Sequence, residues 1–210
     1  FPTFWGLMLS GHDVLLLDAA MSDELALHLM SEAGCKAMVT PRKREFPGDI
    51  AQMLTADLFA CPKAERPQVA CGNAVALCTS GTTGTSRIFV YNGEAMADRV
   101  LSSLLLYNAN KRIVANENRR ALAFLPFHHV LGFVVNLMWC GFLGYANIYL
   151  KDRAPKTILT TAQRCRPHLI VAVPLLANNL CTTIKKKLDK ESTVKRAAFS
   201  AMTGMSLNAQ

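Results

Sequence analysis

Short apolar runs alternate along this chain with longer stretches whose apolar positions recur at the helical period. Residues 13–18 form a run typical of a strand buried on both faces. Ser22 precedes two acidic residues and predicts a helix N-cap, and Gly34 predicts the end of that helix. Residues 36–40 predict a second strand. A strand, a helix and a strand at this spacing predict a βαβ unit with its two strands parallel.

The same alternation continues to the end of the chain. An apolar helix is expected at residues 1–9 and another helix at residues 49–59. Further strands are predicted at 73–78, 87–91, 121–125, 145–150 and 168–171, and further helices at 93–106, 130–140, 154–164 and 175–188. The strands at 73–78 and 87–91 are close enough to form a hairpin. The pattern predicts an α/β fold with a mostly parallel sheet and helices on both faces.

The loop between the two hairpin strands has the most informative composition. It consists of glycines and hydroxyl residues followed by a cation: Thr79, Ser80, Gly81, Thr82, Thr83, Gly84, Thr85, Ser86 and Arg87. Glycines let backbone N–H groups approach a ligand, and such N–H groups with hydroxyls and a guanidinium suit phosphate oxygens. The loop lacks the Walker A pattern. Its alternative interpretation is a polar hairpin loop, although a hairpin turn needs only two residues.

The net charge and the distribution of charged residues limit the classes of binding partner that are expected. The net charge is +8, but the basic clusters are short and have no interleaved aromatic residues, so nucleic acid is not an expected partner. The longest uncharged stretch, 130–150, is split by Gly141 and Gly144, which favours a buried helix and strand over a membrane span. A peripheral membrane protein remains a third hypothesis, resting on the net charge and this stretch.

Seven cysteines are scattered through apolar runs, and none forms a C-x-x-C pair. This distribution predicts buried thiols in a reducing, cytoplasmic compartment. It also gives no support for a metal site built from protein side chains.

The segment Thr79–Gly84 resembles the phosphate-loop signature of the adenylate-forming superfamily, which includes acyl-CoA synthetases, luciferases and peptide-synthetase adenylation domains. The usual continuation is proline, lysine and glycine, where this chain has Ser86, Arg87 and Ile88. Arg87 keeps the positive charge of the lysine. The resemblance implies that Thr79, Ser80, Gly81, Thr82, Thr83, Gly84 and Arg87 bind the β- and γ-phosphates of ATP.

A second segment, 125–132, is similar to the P-x-x-H-x-x-G motif of the same superfamily. The resemblance identifies His129 as the motif histidine, facing the carboxylate of the acyl substrate. An imidazole can donate to a carboxylate or orient it. His128 is expected to have a structural or pocket-lining role. Phe127, Phe133 and Val134 are candidate pocket walls, with ordinary core packing the favoured interpretation.

The resemblance covers nearly the whole chain and implies one partial N-terminal adenylating domain, residues 1–210. Residues 1–70 would form its first βαβ part, and residues 71–210 would carry the phosphate loop and acyl pocket. The implied function is that of an ATP-dependent carboxylic acid:CoA ligase acting on a fatty or related acid, with ATP, Mg²⁺ and coenzyme A. The family's Tyr-Gly-x-[ST]-Glu segment does not occur in the chain, and the first residue is Phe1. We therefore expect an incomplete, inactive fragment whose partner is the remainder of its own chain. The alternative is a non-catalytic phosphate-binding or interaction module.

Overall fold

The computed structural model describes residues 2–46, 50–62, 69–79, 86–110, 119–150 and 152–190, together with 193, 197–199 and 201. These residues fall into two compact units. One comprises Phe1–Arg119 and Leu125–Ala146, and the other comprises Arg120–Phe124 and Asn147–Gln210. The elements mix α-helices with parallel and antiparallel strands, so the predicted α/β class is confirmed. The division at residue 70 stays a prediction.

The first unit contains most of the described elements. In chain order they are α1 (Pro2–Leu9), β1 (Val14–Leu16), α2 (Asp23–Glu32), β2 (Ala37–Thr40), β3 (Ala51–Leu54), α3 (Thr55–Ala60), β4 (Ala74–Thr79), β5 (Arg87–Asn92), α4 (Gly93–Ala109) and a last helix, α5. We use α5 for the continuous helical residues 130–142, which consist of an α-helical turn, the π-helical segment Phe133–Trp139 and a second α-helical turn.

The predicted strand pairing of the βαβ unit is wrong. β1 pairs in parallel with β4, and β2 pairs in parallel with β3 in a separate sheet. Val14 of β1 packs with Val75 and Leu77 of β4, whereas Met38 of β2 is buried with residues of α2, in a cluster that Leu15 of β1 also contacts. The helix therefore connects strands of two different sheets.

The helix expected at residues 49–59 is half wrong. Its first part is the strand β3, and only Thr55–Ala60 is helical. All four residues of β3 pair with β2, from Ala37 opposite Ala51 to Thr40 opposite Leu54. Strand pairing across the sheet has overridden the local helical pattern, as tertiary contacts often do in short segments.

The predicted hairpin is confirmed. β4 and β5 are antiparallel, with six residue pairs running from Ala74 opposite Asn92 to Thr79 opposite Arg87. The start of β4 is held by Asp13, whose Oδ1 accepts hydrogen bonds from the backbone N–H groups of Asn73 and Ala74 at 2.9 and 2.8 Å. The hairpin is thereby tied to the residue that precedes β1.

One hydrophobic cluster joins five elements of this unit. Its buried residues come from α1, β1, β4, α4 and α5: Phe4, Val14, Val75, Leu77, Met96, Phe133 and Leu137. The rings of Phe4 and Phe133 meet edge to face, with centroids 5.4 Å apart. Because β4 and α5 share this cluster, the strand that enters the loop and the helix that follows the second motif belong to one packed body.

The predicted helix ends are confirmed where the chain carries capping residues. Ser22 accepts a hydrogen bond from the Leu25 N–H at 3.3 Å and caps α2. Gly34 has φ +67°, and the next N–H, that of Cys35, donates to the Met30 carbonyl at 2.8 Å. Such a left-handed residue after a helix favours glycine.

The second unit holds a three-stranded sheet in the order β7-β6-β8, where β6 is Arg120–Ala123, β7 is Ala146–Tyr149 and β8 is Leu169–Ile170. Ala146 itself is counted in the first unit. β6 and β8 are parallel, as Ala121 lies opposite Leu169. The helices α6 (Pro155–Cys165) and α7 (Pro174–Leu188) complete this unit. None of the described helices is long and apolar enough to cross a membrane.

Candidate functional site

The two ends of the glycine-threonine loop face each other across the β4–β5 hairpin. Thr79 is the last residue of β4, Arg87 is the first residue of β5, and they are direct partners in the register. Both are exposed. Within the described part of the chain Arg87 forms no ion pair, so its guanidinium is available to a ligand anion. Ser80, Gly81, Thr82, Thr83 and Gly84 lie outside the described residues, and their phosphate contacts stay a prediction.

The strand below this loop is anchored in the core. Leu77 and Cys78 are buried immediately before the exposed Thr79. Burial raises the pKa of the Cys78 thiol, and the nearby charges of Glu32 and Cys35 raise it further. Cys78 is therefore protonated at neutral pH. Since only a thiolate is a strong nucleophile, Cys78 acts as a core residue and not as a reactive group.

The three fixed residues of the second motif are linked through one carbonyl oxygen. The Pro126 carbonyl accepts a hydrogen bond from the His129 N–H at 3.2 Å. Gly132 packs against the same peptide group, where a Cβ at residue 132 would overlap the Pro126 oxygen and lie 2.8 Å from its carbonyl carbon. Real Cβ atoms do not come so close to backbone atoms, so the position requires glycine. The P-x-x-H-x-x-G spacing thus corresponds to a tight turn that packs against the first turn of α5.

His129 occupies the N-cap position of α5. Its backbone is extended (φ −100°, ψ 140°), and its carbonyl accepts from the Phe133 N–H at 2.9 Å. Its side chain is exposed and makes no capping hydrogen bond. The imidazole therefore does not cap the helix and is accessible at the helix N-terminus. A helix N-terminus favours negative charge nearby.

His128 contacts both His129 and a carboxylate. Its Nε2 is 3.6 Å from Oδ2 of Asp18, and its ring centroid is 4.3 Å from that of His129. Asp18 follows β1 and is 110 positions away along the sequence, so sequence reasoning missed it. The partner of His128 carried no sequence signal, and the structural or pocket-lining role of His128 stays a prediction.

The aromatic and aliphatic neighbours of the histidines belong to the core. Phe133 is fully buried, and Phe127 and Val134 are partly buried against the same cluster. The favoured interpretation of core packing is confirmed for Phe133. Among the residues that the structure describes, no three His, Cys, Asp or Glu side chains converge to hold a metal ion.

Comparison with known proteins identifies relatives of this chain. Residues 2–209 match the family model described as AMP-binding enzyme. A long-chain-fatty-acid–CoA ligase of Mus musculus is 24% identical over 140 residues, which are 64% of this chain and 20% of that protein.

Solved structures share the fold. The o-succinylbenzoate CoA synthetase of Bacillus subtilis, in complex with its acyl-adenylate intermediate, has a TM-score of 0.67 and 20% identity, covering 83% of this chain and 46% of that one. The N-terminal domain of FACL13 from Mycobacterium tuberculosis has a TM-score of 0.64 and 19% identity, covering 80% and 45%. This chain therefore spans less than half the length of each of these three relatives.

Proposed function

This chain belongs to the family of AMP-binding enzymes, and from that membership we propose that it is part of an AMP-forming acid–thiol ligase. In the first half-reaction a carboxylate oxygen of the acid attacks the α-phosphorus of ATP. The bond from that phosphorus to the bridging oxygen breaks, and pyrophosphate leaves. In the second half-reaction the sulfur of coenzyme A attacks the acyl carbonyl, and AMP leaves with the electron pair of the broken C–O bond.

The acid is proposed to be a fatty acid or a related carboxylic acid. Support comes from the mouse relative, whose name states a long-chain fatty acid as its substrate. The Bacillus relative is named for o-succinylbenzoate, an aryl acid. A substrate panel therefore needs both chemical types.

One observation carries the phosphate part of the proposal: Thr79 and Arg87 are exposed register partners at the two ends of the loop. A hydroxyl and a guanidinium on neighbouring strands form a donor pair of the kind that binds phosphate oxygens. We assign the β- and γ-phosphates of ATP to these two residues and to Ser80, Gly81, Thr82, Thr83 and Gly84 between them. The exposed donors at the two ends of the loop support this assignment, because they suit the negative charge of a triphosphate.

Magnesium requires oxygen ligands and keeps much of its shell as water and phosphate. Such an ion can arrive with the nucleotide, held by the phosphates and by water. When bound, Mg²⁺ would neutralise phosphate charge, while Arg87 holds the phosphate tail in place.

His129 is assigned to the carboxylate of the acid. Its exposed imidazole stands at the start of α5, and α5 shares its core cluster with β4. Orienting a carboxylate for in-line attack lowers the barrier chiefly through positioning. An imidazole that donates a hydrogen bond to one carboxylate oxygen leaves the other free to attack.

We also propose a cytoplasmic location. All seven cysteines are free thiols in the structure. Persistently reduced cysteines are typical of a reducing compartment.

Pyrophosphate exchange tests the enzymatic proposal. The full-length protein is incubated with ATP, Mg²⁺ and labelled pyrophosphate, together with fatty acids of several lengths and aryl acids. Acid-dependent return of label into ATP is expected for at least one acid. A folded protein that gives no exchange with any acid but still binds ATP would instead be a non-catalytic phosphate-binding module.

A further inference from the structure

We propose that Asp18 is a positioning residue, which orients His128 and, through it, the imidazole of His129. This proposal rests on the proposed role of His129 toward the acyl carboxylate. Asp18 does not need to touch the substrate, since it acts on His129 through the intervening ring.

The Asp18 carboxylate is held in place by its own turn. Its Oδ1 accepts a hydrogen bond from the Ala20 N–H at 3.0 Å, and the Asp18 carbonyl accepts from the Met21 N–H at 3.0 Å. The first bond holds the side chain and the second holds the backbone of the turn that follows β1, whose Val14 is in the main core cluster. The second oxygen, Oδ2, is left to face outward from the turn.

That second oxygen faces His128. The separation of 3.6 Å between Oδ2 and Nε2 is too long for a direct hydrogen bond but suits an ion pair with a protonated imidazole. The side chain of His128 is 18% exposed, against 40% for Asp18. Because one partner is largely withdrawn from water, screening of the attraction is weaker than between two surface charges.

The two imidazoles then constrain each other. Their centroids are 4.3 Å apart and their planes are inclined by 55°, so rotation of one ring at its χ1 bond would displace the other. His128 is held on one side by Asp18, which leaves His129 a restricted set of orientations. Contacts thus connect the turn at Asp18, through His128, to His129, which we assign to the carboxylate of the acid.

Asp18→Asn in the full-length protein tests the charge of residue 18 while leaving the geometry of its turn in place. Asparagine keeps an oxygen that can accept from the Ala20 N–H, but it removes the negative charge that faces His128. With an acid accepted in the exchange assay, we expect a fall in kcat of about tenfold, within the ~100-fold that a misplacement of ~1 Å can cost. The KM for ATP should not change. His128→Gln, which cannot carry a charge, should give the same pattern.

The double variant gives the decisive comparison. Asp18→Asn should cause no further loss in a His128→Gln background, because its effect passes through His128. Equal losses in both backgrounds, or no loss in either, would overturn the positioning role. Asp23→Asn is the matched control, since Asp23 is similarly exposed but pairs with Arg44. It should leave kcat unchanged.

A spectroscopic readout keeps this test separate from the proposed reaction. With ¹³C-labelled histidine, the full-length protein should show a nuclear Overhauser effect between the ring protons of His128 and His129, and Asp18→Asn should weaken it. An unchanged cross-peak would contradict the positioning role even if no acid is a substrate. Absence of exchange with every acid, together with a weakened cross-peak in Asp18→Asn, would refute the enzymatic assignment but support the positioning of the His129 ring by Asp18.

Discussion

Gly132 lies directly against the carbonyl group of Pro126, the same group that accepts the His129 N–H. The backbone of the second motif thus folds back on itself within the seven residues from Pro126 to Gly132. The position of the exposed histidine depends on a residue that has no side chain. This relationship leads to a prediction that concerns packing and not catalysis.

Gly132→Ala should destabilise the protein by about 1–3 kcal/mol, since a Cβ forced against backbone atoms requires the turn to shift. Gly141→Ala is the matched control in the same helical segment, where an added Cβ meets nothing within 4 Å. Alanine there should stabilise the helix by up to about 1 kcal/mol. Urea unfolding of both variants measures the difference, and equal effects would contradict the close approach.

Arg87→Ala should raise the KM for ATP by about tenfold or more, because a hydrogen bond to a charged group contributes about 1.5–3 kcal/mol. Arg87→Lys should recover part of this loss, since it keeps the charge without the two-pronged donor geometry. Initial rates at varied ATP concentration provide the measurement. Arg99→Ala, which removes another exposed cation, on α4, should leave the KM for ATP unaltered. A similar rise for both alanine variants would indicate a general charge effect.

His129→Ala should lower the rate of acyl-adenylate formation by about 100-fold, because the carboxylate would lose the group that orients it. Single-turnover formation of the adenylate measures this step without the thiol half-reaction. The control is His28→Ala, since His28 is exposed on α2 and faces Glu32 one turn away. Retention of the full rate by the His129 variant would refute its assigned role.

Cys140 should make stability sensitive to alkaline pH. Burial raises its pKa from 9.0 to about 12, so above pH 9 the unfolded chain releases this proton while the folded chain retains it. Its contribution is thus complete below pH 9 and is lost as the pH rises toward 12. Unfolding temperatures between pH 8 and pH 10.5 should fall more steeply in the wild type than in Cys140→Ala. Cys61→Ser, which changes an exposed thiol, should keep the wild-type slope.

Local signals explain most of the correct predictions of secondary structure. Ser22 and Gly34 bracket α2 as expected, because capping depends on the side chain or backbone freedom of one residue. The β4–β5 hairpin is also local, since its strands are adjacent in sequence. The two motifs identified the candidate site because their residue types act at short range.

Pairings between distant segments were not predictable in this way. The partner of β1 is β4, about sixty residues later, and the partner of His128 is Asp18, 110 residues earlier. The periodicity of β1 and of β4 shows which face of each strand is buried. It does not show which other strand lies beside it, so it cannot select one parallel partner among several.

The sequence by itself therefore determined the α/β class, the loop composition and the family-type motifs, since each follows from residue types within a few positions. The tertiary structure alone decided that β1 lies beside β4, that α5 shares a core cluster with the loop-bearing strand, and that a carboxylate faces His128. The physical reason is that segments remote in sequence pack together according to the complementary shapes and volumes of their side chains. A short stretch of sequence does not specify the shape of the segment against which it packs.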